Sequence, residues 1–436
     1  VRDEGVSFEP VPELADAEVS RVSAYVENEH DLGEDAVACV GPAGERQVRF
    51  ASIMTTEHRT FGRGGLGAVL GAKNVKLLTV AGDSRRPVDV PDVTADVHRE
   101  AATSDHIMKR QGTTSGVDMK NDMEEFSLPT QYFERMEFDE GVEGINGSAV
   151  ESKKYKRGTC SNCAFACKLP TRDEETGLET EGPEYETVFA FGSTLCIDDI
   201  VDVMKSNELC DELGMDTVSA GVTVGAYLKA EDRFGDAELV HELLEKIAYR
   251  EGVGDKLAEG VDRIHDDLGV TNWTSKGLEF PGHDGRALHG RGLGYATSNR
   301  GADHMYSKIH NLEYEGHVDP KGLDGKAPIV AELENLKAVN DSGVVCKFSK
   351  AHMTEERYER LFGVDYDTLL AAGARVVELE RHFNNQRGFD RADDDLPFEL
   401  EGLEDALDEY YEVRGWTEDG VVPDARVAGA DGQAAD

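Results

Sequence analysis

Residues 200–250 read IVDVMKSNELCDELGMDTVSAGVTVGAYLKAEDRFGDAELVHELLEKIAYR. Three helical stretches follow one another here, Ile200–Leu213, Thr217–Ala230 and Ala237–Arg250, each with apolar residues at three- and four-residue spacing. Gly252 and Gly254 break the chain before a fourth, Asp255–Leu268. Downstream, Ile329–Val339 and Tyr366–Arg381 continue the pattern, and long strand-like alternation is scarce. Upstream of a linker at Arg85–Val93 the texture differs. Val37–Val40, Val48–Met54 and Val75–Val80 have strand character, Glu13–His30 reads as a helix, and Gly-rich turns separate them. Residues 1–86 are therefore a small α/β piece, and the body behind it is mainly α. The end, Asp419–Asp436, is short on large apolar residues and is expected to fray. No tandem repeat is visible.

The 436 residues are enough for two or three domains. Acidic residues number 88 against 46 basic ones, a formal net charge of −42, and they spread along the whole chain. Arg outnumbers Lys, and a hydrophobic content of 39% with clear apolar periodicity argues against disorder. The composition reads as a halophile's cytoplasmic protein, whose acidic surface stays hydrated where the Debye length falls to roughly 3 Å at ~1 M salt. No basic stripe exists to neutralise phosphates, which excludes nucleic acid as a partner. No apolar run approaches the ~20 residues of a membrane span, and no signal peptide is visible. Val1 stands in place of Met, which fits an alternative start codon or a sequence that continues upstream.

Of the seven Cys, three crowd into Gly158-Thr-Cys160-Ser-Asn-Cys163-Ala-Phe-Ala-Cys167. An odd count with such crowding suits a metal site in a reducing compartment better than a disulfide framework. Three thiolates on one loop can face a common centre and hold a [4Fe–4S] cluster. A structural zinc would want a fourth Cys or His close by, and no second CxxC follows. Cys39, Cys196 and Cys210 read as buried free thiols. The distant Cys346 is the candidate fourth ligand, in Asp341-Ser-Gly-Val-Val-Cys346. That hexamer has a counterpart in Asp211-Glu-Leu-Gly-Met-Asp216. A fixed carboxylate can accept paired hydrogen bonds from an amino-pyrimidine edge such as a pterin presents, or it can merely satisfy a helix end.

Gly62-Arg-Gly-Gly-Leu-Gly67 matches the dinucleotide fingerprint, with Asp83 near the distance of a ribose-binding acid. Too few residues separate Gly67 from the strand at Val75 for a crossover helix, so a glycine-rich turn whose amides and Arg63 hold an anionic group fits better. Glu184-Tyr-Glu186 and Ser298-Asn-Arg300-Gly-Ala-Asp303-His304 are the remaining acid–base candidates, each equally readable as surface acids or a polar turn.

Together these pieces resemble the aldehyde ferredoxin oxidoreductase family. The likeness also takes in Gly41-Pro-Ala-Gly-Glu45, the run Gly62–Asn74, Gly112-Thr113, Leu128-Pro-Thr130, Glu181-Gly-Pro-Glu-Tyr-Glu186, Leu257-Ala-Glu-Gly260, Tyr295–His304 and Arg414-Gly-Trp416, in this order. The resemblance implies that Cys160, Cys163, Cys167 and Cys346 hold one [4Fe–4S] cluster. Asp211 and Asp341 would each bind one pterin of a bis-pterin tungsten cofactor, with Gly214, Asp216 and Arg300 beside it. Arg63, Gly64 and Gly65 would approach from the amino-terminal side, and Glu186 and His304 would transfer protons at the metal. The implied reaction oxidises a small aldehyde to a carboxylic acid and passes electrons through the cluster to ferredoxin. The resemblance also allows Mg beside the cofactor and a homo-oligomer.

The implied architecture is two helical domains, 88–275 and 276–436, behind a remnant, 1–86, of a larger amino-terminal β domain. Val344 stands where the family pattern has Gly, and Gly285 where it has Pro. Two other readings stand beside this one: a tungsten enzyme for another substrate class, and a catalytically silent iron–sulfur or scaffold subunit.

Overall fold

The computed structural model describes residues 1–33, 36–56, 58–82, 90–122, 127–160, 163–348 and 352–427. Asp83, most of the expected linker and the tail from 428 lie outside the described residues. The amino-terminal piece is a four-stranded sheet, β1 (Val37–Cys39), β2 (Ile53–Thr56), β3 (Arg59–Phe61) and β4 (Leu77–Thr79), in the order β3-β2-β1-β4. Every pairing is antiparallel, with Cys39 opposite both Met54 and Leu77. The helix Val19–His30 closes a small core through Val19, Val22 and Val26, shared with Leu14, Val37, Cys39 and Met54.

An antiparallel sheet disposes of the dinucleotide reading, which needs a parallel βαβ unit. The glycines have a packing reason instead. A Cβ on Gly71 would lie 1.8 Å from the Gly44 carbonyl oxygen, so only glycine lets the helix Leu66–Ala72 rest on the turn Pro42–Glu45. The expected strand Val48–Met54 pairs only at its end. Its first residues cross to the helical body, where the Arg49 amide donates to Ala258 O (2.9 Å), the Ser52 amide to Gly214 O (2.9 Å) and the Asp216 amide to Phe50 O (3.0 Å).

The helical body is built around Thr217–Glu231, whose residues from Val218 to Ala226 are all buried. Helix Tyr185–Phe191 lies against it at Gly221, where a Cβ would sit 2.6 Å from the Ala190 carbonyl oxygen. Helix Ile200–Leu213 starts on Asp199, whose carboxylate accepts from the Val201 amide, and ends on Gly214 in the left-handed conformation. Two residues on, Asp216 caps the next helix by accepting from Val218 N–H (3.1 Å) and Ser219 N–H (3.2 Å). The expected Asp255–Leu268 helix is two, Val253–Leu257 and Val261–Leu268, divided at Gly260.

Further on, Lys326–Ser342 packs against Tyr366–Asn385 and Leu403–Arg414. Buried ion pairs fasten this end, Arg381 to Asp394 (2.8 Å) and Lys326 to Glu313 (2.8 Å). One core extends from Ala43 to Val422. The helices Pro91–Thr103, His289–Thr297, Glu355–Phe362 and Leu403–Arg414 join those expected. The fold is mainly helical behind a small sheet, and no helix among the described residues is long and apolar enough to cross a membrane.

Candidate active site and thiol cluster

The three-Cys loop is closed at its base by a bridge between Gly158 and Lys168 and folded back by Thr159, whose hydroxyl donates to Cys163 O (2.6 Å). Cys346, just past the helix Lys326–Ser342, comes to this loop. Burial pushes the Cys167 thiol up to about 11, and Glu184, Cys346, Cys160 and Cys163 push it the same way, so all four thiols share one neighbourhood. Among the described residues no three of these sulfurs lie within 4.8 Å of one another. Cys39 and Cys210 are buried, as expected, while Cys196 is partly exposed.

Glu186 sits in the first turn of Tyr185–Phe191 and is largely buried. One carboxylate oxygen, Oε2, accepts from the Gly282 amide at 2.8 Å. The other, Oε1, has no hydrogen-bond partner, although His283 Nε2 (3.3 Å) and His304 Nε2 (3.6 Å) both approach it. Glu186, His283 and His304 form the one group of three or more His, Cys, Asp or Glu among the described residues whose ligand atoms all lie within 4.8 Å. The His310 ring lies tilted beside His283, 4.3 Å between centroids, and the Tyr314 hydroxyl meets His283 Nδ1 at 3.0 Å. Burial pushes the Glu186 carboxyl up to about 7, against the Gly282 amide, Arg63, Lys120 and Lys347. Burial also pushes His283, His304 and His310 well below the ordinary range, and the surrounding cations add to this. Neutral imidazoles thus face a carboxyl poised near neutrality.

Arg63 is committed to the protein: Nε to Asp216 (3.3 Å), Nη1 to Ala302 O (2.7 Å) and Nη2 to Glu279 O. It pins the glycine turn to the body and leaves approach to an anion to the backbone of Gly64 and Gly65. A Cβ on Gly64 would meet nothing within 4 Å. Gly64, Gly65 and Arg300 line a polar cleft of about 860 Å³ with Lys276 and Glu279. Burial pushes the Asp303 carboxyl up, but Arg300 (3.1 Å) and Arg63 outweigh it and hold the group low.

The two Asp hexamers differ. Asp211 is largely buried and faces His58 Nδ1 and the Asn207 amide, both at 3.2 Å, so it is not a group spent on a helix end. Asp341 is more than half exposed in the last turn of its helix and pairs with Lys337. Asp216 does cap a helix, the bland role, while also holding Arg63. His283, His310, Tyr314 and Lys120 escaped the sequence reading because they lie in three separate segments, and His310 and Tyr314, one turn apart in the helix Ile309–Tyr314, match no motif.

The match to known proteins covers nearly the whole chain. The model of the aldehyde ferredoxin oxidoreductase amino-terminal domain matches residues 1–82, and that of domains 2 and 3 matches residues 92–428. The chain belongs to the aldehyde ferredoxin oxidoreductase family. The tungsten-containing aldehyde ferredoxin oxidoreductase of Pyrococcus furiosus is 35% identical over 97% of this chain and 78% of its own length. The corresponding enzyme of Thermococcus kodakarensis is 34% identical over the same shares. The active-site complex BamBC of benzoyl coenzyme A reductase, with bound 1,5-dienoyl-CoA, superposes with a TM-score of 0.78. It is 21% identical, and the match covers 99% of this chain and 78% of that one.

Membership makes this an oxidoreductase of a tungsten family, and the residues present fit a tungsten pterin group. The Asp211 carboxylate is a largely buried acceptor, the Gly64 backbone is open, and Glu186 Oε1 lacks a donor.

Proposed function

We propose that this chain oxidises aldehydes to carboxylic acids at a bis-pterin tungsten centre, with electrons leaving through a [4Fe–4S] cluster to ferredoxin. The observation that carries this reading is Glu186 Oε1, left without a donor between two neutral imidazoles. Converting an aldehyde and water into an acid releases two protons and two electrons. The tungsten centre, when bound, supplies a two-electron acceptor that can be emptied one electron at a time. Asp211 and Asp341 would hold the pterins, beside the Gly64–Gly65 backbone. Cys160, Cys163, Cys167 and Cys346 would hold the cluster. Cys346 follows Asp341 by five residues, so one short segment would touch both groups and shorten the path between them.

The rest is proton handling by the chain itself. Glu186 takes the proton of the water that adds to the carbonyl carbon, a role for which a carboxyl near pH 7 is matched. His283 and His304 face the same oxygen as neutral imidazoles, and His283 can relay the proton, taking it at Nε2 as Nδ1 gives one up to the Tyr314 hydroxyl. Burial of the cluster keeps bulk water from bypassing this route. The test is aldehyde-dependent reduction of a viologen dye or ferredoxin by protein of measured tungsten and iron content. Activity should scale with bound tungsten and yield the acid. Tungsten-replete protein that oxidises no aldehyde would overturn the reading.

A further inference from the structure

Lys120 stands out in a chain so rich in carboxylates. It lies in the short helix Val117–Asp122 and is only 5% exposed, yet among the described residues no Asp or Glu lies within 4.0 Å of its ammonium. Among the described residues its one hydrogen bond is a long one, 3.4 Å to the Gly116 carbonyl. Its other neighbours are two ring faces, Tyr185 at 4.0 Å and Tyr314 at 5.1 Å. An ammonium has three donors, and burying it without an anion costs more than two ring faces return.

Both rings belong to the acid–base cluster. Tyr185 precedes Glu186, and the Tyr314 hydroxyl meets His283 Nδ1. The ammonium therefore lines the wall of the cluster, close enough to act on Glu186 and His283 but not paired with either. Burial pushes it down to about 8, against the pull of Glu186. Lys308, Lys347 and Arg291 add positive charge around His283. These cations gather around the acid–base cluster of a chain whose net charge is −42, alongside the carboxylates Glu186 and Asp284.

We propose that Lys120 is a specificity-determining residue and that the substrate is an aldehyde carrying a carboxylate, which pairs with the Lys120 ammonium while the carbonyl faces Glu186. This rests on the aldehyde-oxidising reading above and sharpens it. A carboxylate supplies an anion to an ammonium that pairs with none among the described residues, and shielded from water such a charge-assisted bond is strong.

The experiment compares 4-oxobutanoate with butanal, which has the same carbon chain without the acid, in wild type and Lys120→Met. Wild type should prefer 4-oxobutanoate, and succinate should compete with it. In Lys120→Met, the ratio of kcat/KM for 4-oxobutanoate to that for butanal should fall by at least about 30-fold, through KM for 4-oxobutanoate, while any change in the ionisation of Glu186 slows both aldehydes alike and cancels in the ratio. Lys120→Arg should restore part of the loss. Calorimetric binding of succinate by resting wild-type protein, absent in Lys120→Met, gives a readout that needs neither turnover nor the aldehyde reading. Wild type that oxidises neither aldehyde would sink the proposed activity, while succinate binding still decides Lys120. Equal loss for both aldehydes, lowered tungsten content in the variant, or wild type indifferent to both 4-oxobutanoate and succinate would overturn the assignment.

Discussion

Glu186 Oε1 and His283 Nε2 lie 3.3 Å apart without the alignment of a hydrogen bond. The pair is neutral in opposite senses, since burial favours the protonated carboxyl and the unprotonated imidazole. Full transfer of a proton from the carboxyl to the imidazole would create a buried ion pair, so burial keeps the proton on Glu186 until it is passed on. Glu186→Gln keeps the shape and removes the acceptor. We expect it to retain iron and tungsten while turnover per bound tungsten falls by about 10²–10⁴. Rates within a factor of about two of wild type would show that Glu186 is not the base.

The pH profile should carry the same signature. Glu186 works as a base only when ionised, so kcat/KM should rise as pH passes up through about 7 and level off above it. A carboxyl at its ordinary value would give a plateau already at pH 6. Glu186→Gln should lose this limb, whereas a limb that survives the substitution belongs to another group.

What the sequence showed and what it hid have physical reasons. Ile200–Leu213 and Ala237–Tyr249 were legible because an apolar stripe follows a capping Asp, at Asp199 and Asp236. His289–Thr297 was not, because Gly290, Gly292 and Gly294 each weaken a helix by about 1 kcal/mol. They persist because side chains there would collide, Gly292 with Leu400 Cδ2 at 2.7 Å. Val48–Met54 has the composition of a strand, but tertiary docking onto Gly214 and Ala258 takes its first half out of the sheet. In the site, Glu186 and His304 stood in recognisable motifs. Lys120, His283 and His310 did not, since only the packing of separate segments brings them together.

Cys346→Ala tests the thiol assembly. The residue is far along the chain from Cys160–Cys167, yet its thiol acts on Cys167. Iron content and the low-temperature spectrum of the reduced cluster should both fall, because a four-iron centre wants four protein ligands. A full complement of four irons in the variant would remove Cys346 from the ligand set.

Salt should stabilise this protein, against the usual effect on surface ion pairs. Exposed pairs such as Arg99–Asp96 (2.9 Å) and Arg46–Asp16 (2.9 Å) contribute about 0–1 kcal/mol each and are screened away. Repulsion within a net charge of −42 is screened as well, and it acts over the whole surface. Tm should rise steeply between low and molar potassium chloride. A flat or falling profile would contradict the halophile reading while leaving the enzyme reading untouched.

The last prediction turns on Val344. In the first Asp hexamer the helix Ile200–Leu213 ends on Gly214 at φ 75°, a conformation open to glycine. In the second, the helix Lys326–Ser342 ends on Gly343 with φ −90°, and the left-handed position falls one residue later, on Val344 at φ 55°. A β-branched residue there costs about 1–2 kcal/mol, since its Cβ crowds the backbone. Its side chain is 90% exposed and recovers nothing by packing. Val344→Gly removes the strain but gives the unfolded chain more freedom, worth about 0.4–1 kcal/mol. The balance favours the variant by about 0–1.6 kcal/mol, read as a modest rise in Tm. Cys346 follows two residues later, so the same change should loosen the segment that brings its thiol to the three-Cys loop, with faster iron loss to a chelator. A lower Tm with unchanged iron release would mean that Val344 is at ease in its conformation and that the turn does not govern how Cys346 is held.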